Sequence, residues 1–445
     1  MTPHPPTIAL LTIGHPDYQN EVGEAMAAAV ARNLDARGVR VLHRSGSVLQ
    51  PRAAVEAAVE LLGQDPDGVI ICLGTWIEAP VAIAAVRELE HLPLAVWGFP
   101  MYEEDGQRRS TGSFVALSVL QGTLRRMDAP FTAVRGMPDD GAALEQAVRF
   151  ARAAHARKRL RRSRLGLIGY ASMGMYPGTV DHVLLRRLIG PELVALDTFT
   201  LVQRAEAADA ADVRAATEQI RHAATLADDA APPLVEKAAR LLVALRGLVE
   251  RHDLDAVTVK CQYELSQEWG CTACVPLSLL ADEGRVCGCE GDVPTLVSQL
   301  LLDCFAPEPA FYGDVLDCRG SDVLLSSCGF APFGLSAPTV APSIEPFAHP
   351  GFTGLMASVA LRPGKVTIAR LNEGRGSFSL LVTTGTAETP QKREGLFPAL
   401  AVQLDGDAAA FLDRLESQHV AIAYGDHTAE LTALARMLDV WIVPY

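Results

Sequence analysis

Thr7-Ile8-Ala9-Leu10-Leu11-Thr12-Ile13 is short, uncharged and rich in β-branched residues, which reads as one buried strand. An Ala-rich stretch at helical period follows over residues 21–37, and a second apolar run over 39–43. Strand, helix and strand in that order predict a βαβ unit on a parallel sheet. The pattern continues through a helical segment at 53–62 and strand-like runs at Gly68–Leu73, 94–97 and 131–135. Residues 1–160 therefore read as an N-terminal α/β domain. Ligands approach such sheets at the carboxyl ends of the strands. That places Trp76 (in Gly74-Thr75-Trp76) and Trp97 where an aromatic ring stacks on a ligand or fills core.

A second α/β unit opens with a strand at 165–168, followed by the loop Gly169-Tyr170-Ala171-Ser172-Met173-Gly174. The loop bears glycines but not the GxGxxG spacing that cradles a dinucleotide. Residues 205–252 read as helix, 255–260 as a strand, and 277–280 and 294–304 as helices, with Pro276 suited to a first helical position. The basic run at 154–164 reads as a linker helix with a solvated or interdomain face rather than an RNA site. From Gly329 the texture changes. Pro332, Pro338, Pro342, Pro346 and Pro350 break up helices, and runs at 352–361, 365–371 and 377–383 predict antiparallel strands with Gly364 and Gly374 in turns. Strand His419–Tyr424, helix Thr428–Leu438 and a strand at 440–443 close the chain. The expected organisation is an α/β protein of three domains: 1–160, a central parallel-sheet domain at 161–328, and a β-rich C-terminal domain at 329–445.

Composition supplies exclusions. The chain has 445 residues, 49% of them hydrophobic, and a net charge of −14. A core of ordinary size is available, while a nucleic-acid or anionic-membrane partner calls for a basic face that this charge disfavours. No apolar run is long enough to span a bilayer. The start, Met1-Thr2-Pro3-His4-Pro5-Pro6, lacks the basic region of a signal peptide. A cytoplasmic protein with reduced thiols is expected.

Eight of the nine cysteines fall between Cys261 and Cys328. Cys271-x-x-Cys274 and Cys287-x-Cys289 have the spacing of a structural zinc site, yet they flank an apolar helix and sit on a strand. The preferred reading is packing, since a free thiol behaves as a small hydrophobe. Cys289-Glu290-Gly291-Asp292-Val293 and Tyr312-Gly313-Asp314-Val315 each set an acid beside a glycine. The chain between Glu290 and Asp314 is long enough for one helix and a return to the same sheet edge. Two carboxylates brought together hold a divalent cation and move protons. Asp292 reads as the cap of the helix that follows, and His427 as a capping or surface residue.

Five segments stand in a telling order: Lys260-Cys261-Gln262-Tyr263-Glu264, Cys289-Glu290-Gly291-Asp292-Val293, Phe311-Tyr312-Gly313-Asp314, Ser327-Cys328-Gly329, and Gln418-His419-Val420-Ala421-Ile422-Ala423-Tyr424-Gly425-Asp426. Together with Leu94-Ala95-Val96-Trp97 and Ser110-Thr111-Gly112-Ser113, that order resembles the L-fucose isomerase / L-arabinose isomerase family, in its shorter fucose-isomerase-like branch. The resemblance implies two Rossmann-like α/β domains followed by a domain with a β-barrel-like core. It also implies aldose–ketose isomerisation of an unphosphorylated sugar, with Mn²⁺ or another divalent cation such as Mg²⁺ or Co²⁺. By the same resemblance Glu290, Asp314 and His419 match the metal ligands, and the protein forms a homo-oligomer, a trimer or hexamer. One imidazole and two carboxylates independently suit such a cation better than a soft-ligand metal. Glu290 and Asp314 are the expected acid/base groups, acting through a cis-enediol.

The chain has Ser327 where relatives often carry a histidine before Cys-Gly. That departure motivates an alternative, a sugar-binding or regulatory relative without turnover. Trp76, Tyr176, Lys260, Ser327 and His349 are candidate substrate contacts, and Arg319, Arg370 or Arg375 would answer an acidic or sulfonated sugar.

Overall fold

The computed structural model describes residues 5–347, 351–388 and 398–443. The chain divides into two compact units, Met1–Lys158 and Arg159–Tyr445. The division falls inside helix α1 (Gly141–Arg162), which carries the basic run. His349 lies outside the described residues.

In the first unit, strands β1 (Thr7–Ile13), β2 (Arg40–Val48), β3 (Gly68–Leu73), β4 (Leu94–Gly98) and β5 (Thr132–Arg135) form one parallel sheet in the order β2-β1-β3-β4-β5. β3 is buried at every position, which is why it reads as an unbroken apolar run. β2 runs on to Val48, past the expected end at residue 43. It is an edge strand with polar, partly exposed positions, so apolar patterning under-reports it. Trp97 fills core, and its indole N–H donates to the Gly136 carbonyl at 2.9 Å.

The second unit begins with a parallel sheet of β6 (Arg164–Ile168), β7 (Glu192–Leu196), β8 (Ala256–Val259) and β9 (Val286–Cys289), ordered β9-β8-β6-β7. β7 lies at its edge with no fully buried residue and is not evident in the sequence pattern. Helix α2 (Cys274–Asp282) precedes β9. Helix α3 (Val293–Asp303) follows it and is buried at every position from Val293 to Leu302. A helix apolar all round must be covered on all sides.

Part of that cover is a barrel. Strands β10 (Phe311–Arg319), β11 (Asp322–Ser326), β12 (Gly364–Gly374), β13 (Ser377–Glu388), β14 (Ala399–Leu404) and β15 (His419–Tyr424) pair in the order β12-β15-β10-β11-β14-β13, and β13 pairs back onto β12. The ring is closed and antiparallel, and β16 (Trp441–Val443) adds to β13 in parallel. Closure removes the exposed edges of an open sheet. The barrel takes its first two strands upstream of Gly329, where the proline-rich texture begins. The run expected as a strand at 352–361 contributes only Leu355–Ser358. It pairs with Ser343–Pro346 in a separate three-stranded sheet rather than in the barrel. Both sheets and the barrel share one hydrophobic cluster. Among the described residues, no helix is long and apolar enough to cross a membrane.

Two glycines make contrasting tests of backbone constraint. Gly291 has φ +70°, and a Cβ there would sit 2.1 Å from the Tyr170 carbonyl oxygen. Gly291→Ala is expected to lower stability by about 1–3 kcal/mol. Gly122 is exposed, lies mid-helix and meets nothing within 4 Å, so Gly122→Ala should raise stability by about 0.5–1 kcal/mol. Urea midpoints of the two variants check both signs.

Candidate functional site

β9 ends at Cys289, and Glu290 and Gly291 then take left-handed conformations, φ +61° and +70°. Two such residues in succession turn the chain sharply from strand to helix. The Ser172 amide pins the turn by donating to the Glu290 carbonyl at 2.8 Å. Asp292 follows as the cap of α3, its Oδ1 accepting from the Thr295 amide at 2.7 Å. The cap expected from sequence is present.

The barrel delivers the other two side chains. Asp314 on β10 and His419 at the head of β15 are direct partners across the antiparallel ladder. Asp314 therefore does not return to the parallel-sheet edge, as the sequence reading had it. It reaches the same place from a barrel strand. The His419 Nε2 lies 3.1 Å from Asp314 Oδ1 and 3.6 Å from Glu290 Oε2. The three residues expected to act together are thus gathered at one point.

On its other side, His419 Nδ1 sits 2.9 Å from Asp292 Oδ2. An ionised carboxylate only accepts, so Nδ1 carries the proton and donates. The same oxygen accepts from Arg370 Nη1 at 2.9 Å, and Arg370 also donates to Thr295 Oγ1 and to the His419 and Pro177 carbonyls. The side chains of His419, Asp292 and Arg370 are at most 1% exposed. Among the described residues, His419 Nε2 has no hydrogen-bond partner of its own, although Asp314 Oδ1 stands 3.1 Å away. This buried ring nitrogen faces the carboxylates of both Asp314 and Glu290.

The charges follow from burial and neighbours. Burial comes first in raising Glu290, then Cys328 and Asp314, against the pull of His419, and its pKa reaches about 9. For His419 burial works the other way, but the bond to Asp292 and the nearness of Asp314 outweigh it and lift it to about 9. Asp292 stays low although burial opposes its charge, because Arg370 and His419 stabilise the carboxylate. Without a cation, the site holds protons on both Glu290 and His419 at neutral pH.

One imidazole nitrogen and two carboxylates make a donor set suited to a hard or borderline divalent cation. An Nε2 aimed at the carboxylates while Nδ1 donates to a buried acid is how ligating imidazoles are held. Among the described residues no three His, Cys, Asp or Glu side chains form a finished cage. Glu290, Asp314 and His419 supply suitable donors, and closing around an ion requires their side chains to adjust.

The remaining candidates separate clearly. Lys260 is fully buried at the end of β8. Its ammonium donates to Glu264 and, at 3.1 Å, to the Tyr170 hydroxyl, and lies over the Tyr170 and Tyr263 rings. Burial lowers its pKa against the pull of Cys261. Ser327 is buried, but its hydroxyl closes a turn, donating to the Phe330 carbonyl at 2.6 Å. Tyr176 is 88% exposed and lines a cavity of about 270 Å³ with Asp181, Arg370, Asn372, Glu373 and Glu416. Trp76 is half-buried against the core of the first unit. Arg319 is exposed and paired with Asp317, and Arg375 sits exposed in the turn between β12 and β13. His427 bonds within its own turn, to the Tyr424 carbonyl.

Two residues escaped the sequence reading. Arg370, weighed only as a sugar contact, is the buried counter-ion of Asp292. Tyr312 packs its ring 4.7 Å from that of His419, and its buried hydroxyl has no partner among the described residues. Its place two residues before Asp314 on an alternating strand was the available signal.

No family model matches the chain. Among curated proteins it is similar to the sulfoquinovose isomerase of Alkalicoccus urumqiensis, 25% identical over 403 residues, covering 87% of this chain and 88% of the relative. The sulfoquinovose isomerase of Priestia megaterium is 25% identical over 367 residues, 80% of each chain. That of Clostridium sp. is 25% identical over 446 residues, 97% of each. Together these relatives support an isomerase enzyme. Among solved structures, a conserved domain protein from Vibrio cholerae aligns over 57% of this chain and 73% of its own at 16% identity, with a TM-score of 0.20, too low to carry an argument.

Removing the carboxylate beneath His419 tests the buried pair. Asp292→Ala leaves Arg370 charged and uncompensated, and is expected to cost about 3–5 kcal/mol of stability, measured by urea denaturation.

Proposed function

We propose that the protein is an aldose–ketose isomerase for an unphosphorylated sugar, dependent on a divalent cation of the Mn²⁺, Mg²⁺ or Co²⁺ class. The observation that carries this reading is the convergence of Glu290 and Asp314 on the unpartnered Nε2 of His419. These three residues would hold the cation, which when bound would polarise the sugar carbonyl and acidify its neighbouring hydroxyl.

The chain's own groups do the rest. Asp292, fixed by Arg370, keeps the His419 proton on Nδ1 and leaves Nε2 as a donor. Glu290 and Asp314 divide the proton transfers: one takes the C2 proton to give a cis-enediol and returns it at C1, and the other carries the hydroxyl proton between oxygens. Opposed environments, one carboxylate deeply buried and the other 28% exposed, suit them to different roles.

The relatives make sulfoquinovose the first substrate to try. Two buried cations, Lys260 and Arg370, are already paired with Glu264 and Asp292, so neutral aldoses belong in the same screen. A homo-oligomer, trimer or hexamer, is the proposed assembly. Val183, Phe199 and Tyr176, between 67% and 88% exposed, supply apolar surface for it.

Turnover of sulfoquinovose and of free aldoses with added Mn²⁺ tests the reading. Glu290→Gln and Asp314→Asn are each expected to reduce kcat by at least about a hundredfold while leaving the fold intact by circular dichroism. Absence of both conversion and C2 proton exchange on every sugar tried would defeat the proposal.

Cation binding should also release protons. Glu290 and His419 both hold protons below about pH 9 in the free protein, and a cation displaces them. Apparent Mn²⁺ affinity is expected to rise with pH towards 9, about tenfold per unit for each proton displaced. Calorimetry in buffers of different ionisation enthalpy reads that release directly.

A further inference from the structure

Behind Glu290 lies a group of side chains that the proposed reaction does not use. Cys261 follows β8, Cys274 opens α2, Cys289 ends β9 and Cys328 follows β11. The four thiols are neighbours, Cys261 and Cys328 each facing Cys274 and Cys289. The Cys289 and Cys328 sulfurs are 3.9 Å apart. Cys261, Cys274 and Cys289 are buried, Cys328 is partly exposed, and all four are free thiols. The group takes one cysteine from each of the two motifs with zinc-like spacing and leaves out Cys271 and Cys287. It therefore differs from the zinc arrangement that the spacing suggests.

We propose that Cys328 and Cys289 form a site of reversible oxidation, closed to a disulfide by a hydroperoxide. Cys328, the one of the four that is not fully buried, reacts first. Its thiolate sulfur attacks one peroxide oxygen, the O–O bond breaks, and the leaving oxygen departs as water after taking a proton. Cys328 is then a sulfenic acid. The Cys289 thiol gives up its proton, its sulfur attacks that of Cys328, the S–O bond breaks and a second water leaves. Two thiols are oxidised by two electrons, and one hydrogen peroxide is reduced to two waters.

Closing the pair brings the sulfurs from 3.9 Å to about 2.05 Å. Cys289 is joined directly to Glu290, whose left-handed backbone and bond from Ser172 leave little slack. Drawing Cys289 towards Cys328 displaces the Glu290 carboxylate from His419 and stops turnover. The disulfide stands independently of the isomerase reading, while its effect on turnover rests on that reading.

The test uses the full-length reduced protein, treated with a modest excess of hydrogen peroxide. Its thiols are then counted in denaturant, and its blocked peptides are mapped by mass spectrometry. The expected result is loss of two of the nine thiols and a peptide joining Cys289 to Cys328, reversed by dithiothreitol. Mn²⁺-dependent turnover of sulfoquinovose should fall at least tenfold and recover with the thiols. Cys328→Ser should keep its turnover under the same treatment. No thiol loss, or a disulfide mapped to other cysteines, overturns the site whatever the activity. A Cys289–Cys328 bond that leaves turnover and Mn²⁺ affinity unchanged overturns the control. If the reduced protein turns over no sugar, the isomerase reading fails separately, and the peptide map still decides the thiol site.

Discussion

The buried carboxylate of Asp292 is the constraint on which the rest of the site depends. One oxygen caps α3 through the Thr295 amide, and the other takes both Arg370 from β12 and His419 from β15. It therefore ties the end of the parallel sheet to two strands of the barrel at a single point. A carboxylate with no exposed surface is costly unless its lone pairs are filled, and here three donors fill them. The same contacts fix which nitrogen of His419 carries the proton, so fold stability and site chemistry rest on one side chain.

Much of the layered architecture was legible in the sequence. Thr7–Ile13, Gly68–Leu73, His419–Tyr424 and Thr428–Leu438 fall where patterning puts them, because each is strongly apolar or strongly periodic and bounded by turn residues. The edge strands β2 and β7 were shortened or missed, since a half-solvated strand lacks that signature. The barrel strand β10 was missed as a strand because its outer half alternates with Asp and Arg. Barrel closure is a pairing between distant segments, and no local pattern reports it.

The site was legible in part for the same reason. Glu290, Asp314 and His419 were found by their order along the chain and do converge. Asp292 was read as a helix cap, which is true of one oxygen. Its other partners lie 78 and 127 residues away, beyond any spacing rule. The cysteines misdirect in an instructive way. CxxC and CxC suggest pairs that act together, whereas neighbouring strand ends select one thiol from each and add Cys261 and Cys328.

The direct pairing of Asp314 with His419 also sets how the chain tolerates changes of length. Loops that join barrel strands at the far rim lengthen or shorten without disturbing this rung. A single inserted residue within Phe311–Asp314 is different, because successive side chains on a strand face opposite ways. It would send Asp314 through the barrel wall while His419 stayed in place. The reading frame of two short strands, rather than the many residues strung between them, is what inheritance has to preserve.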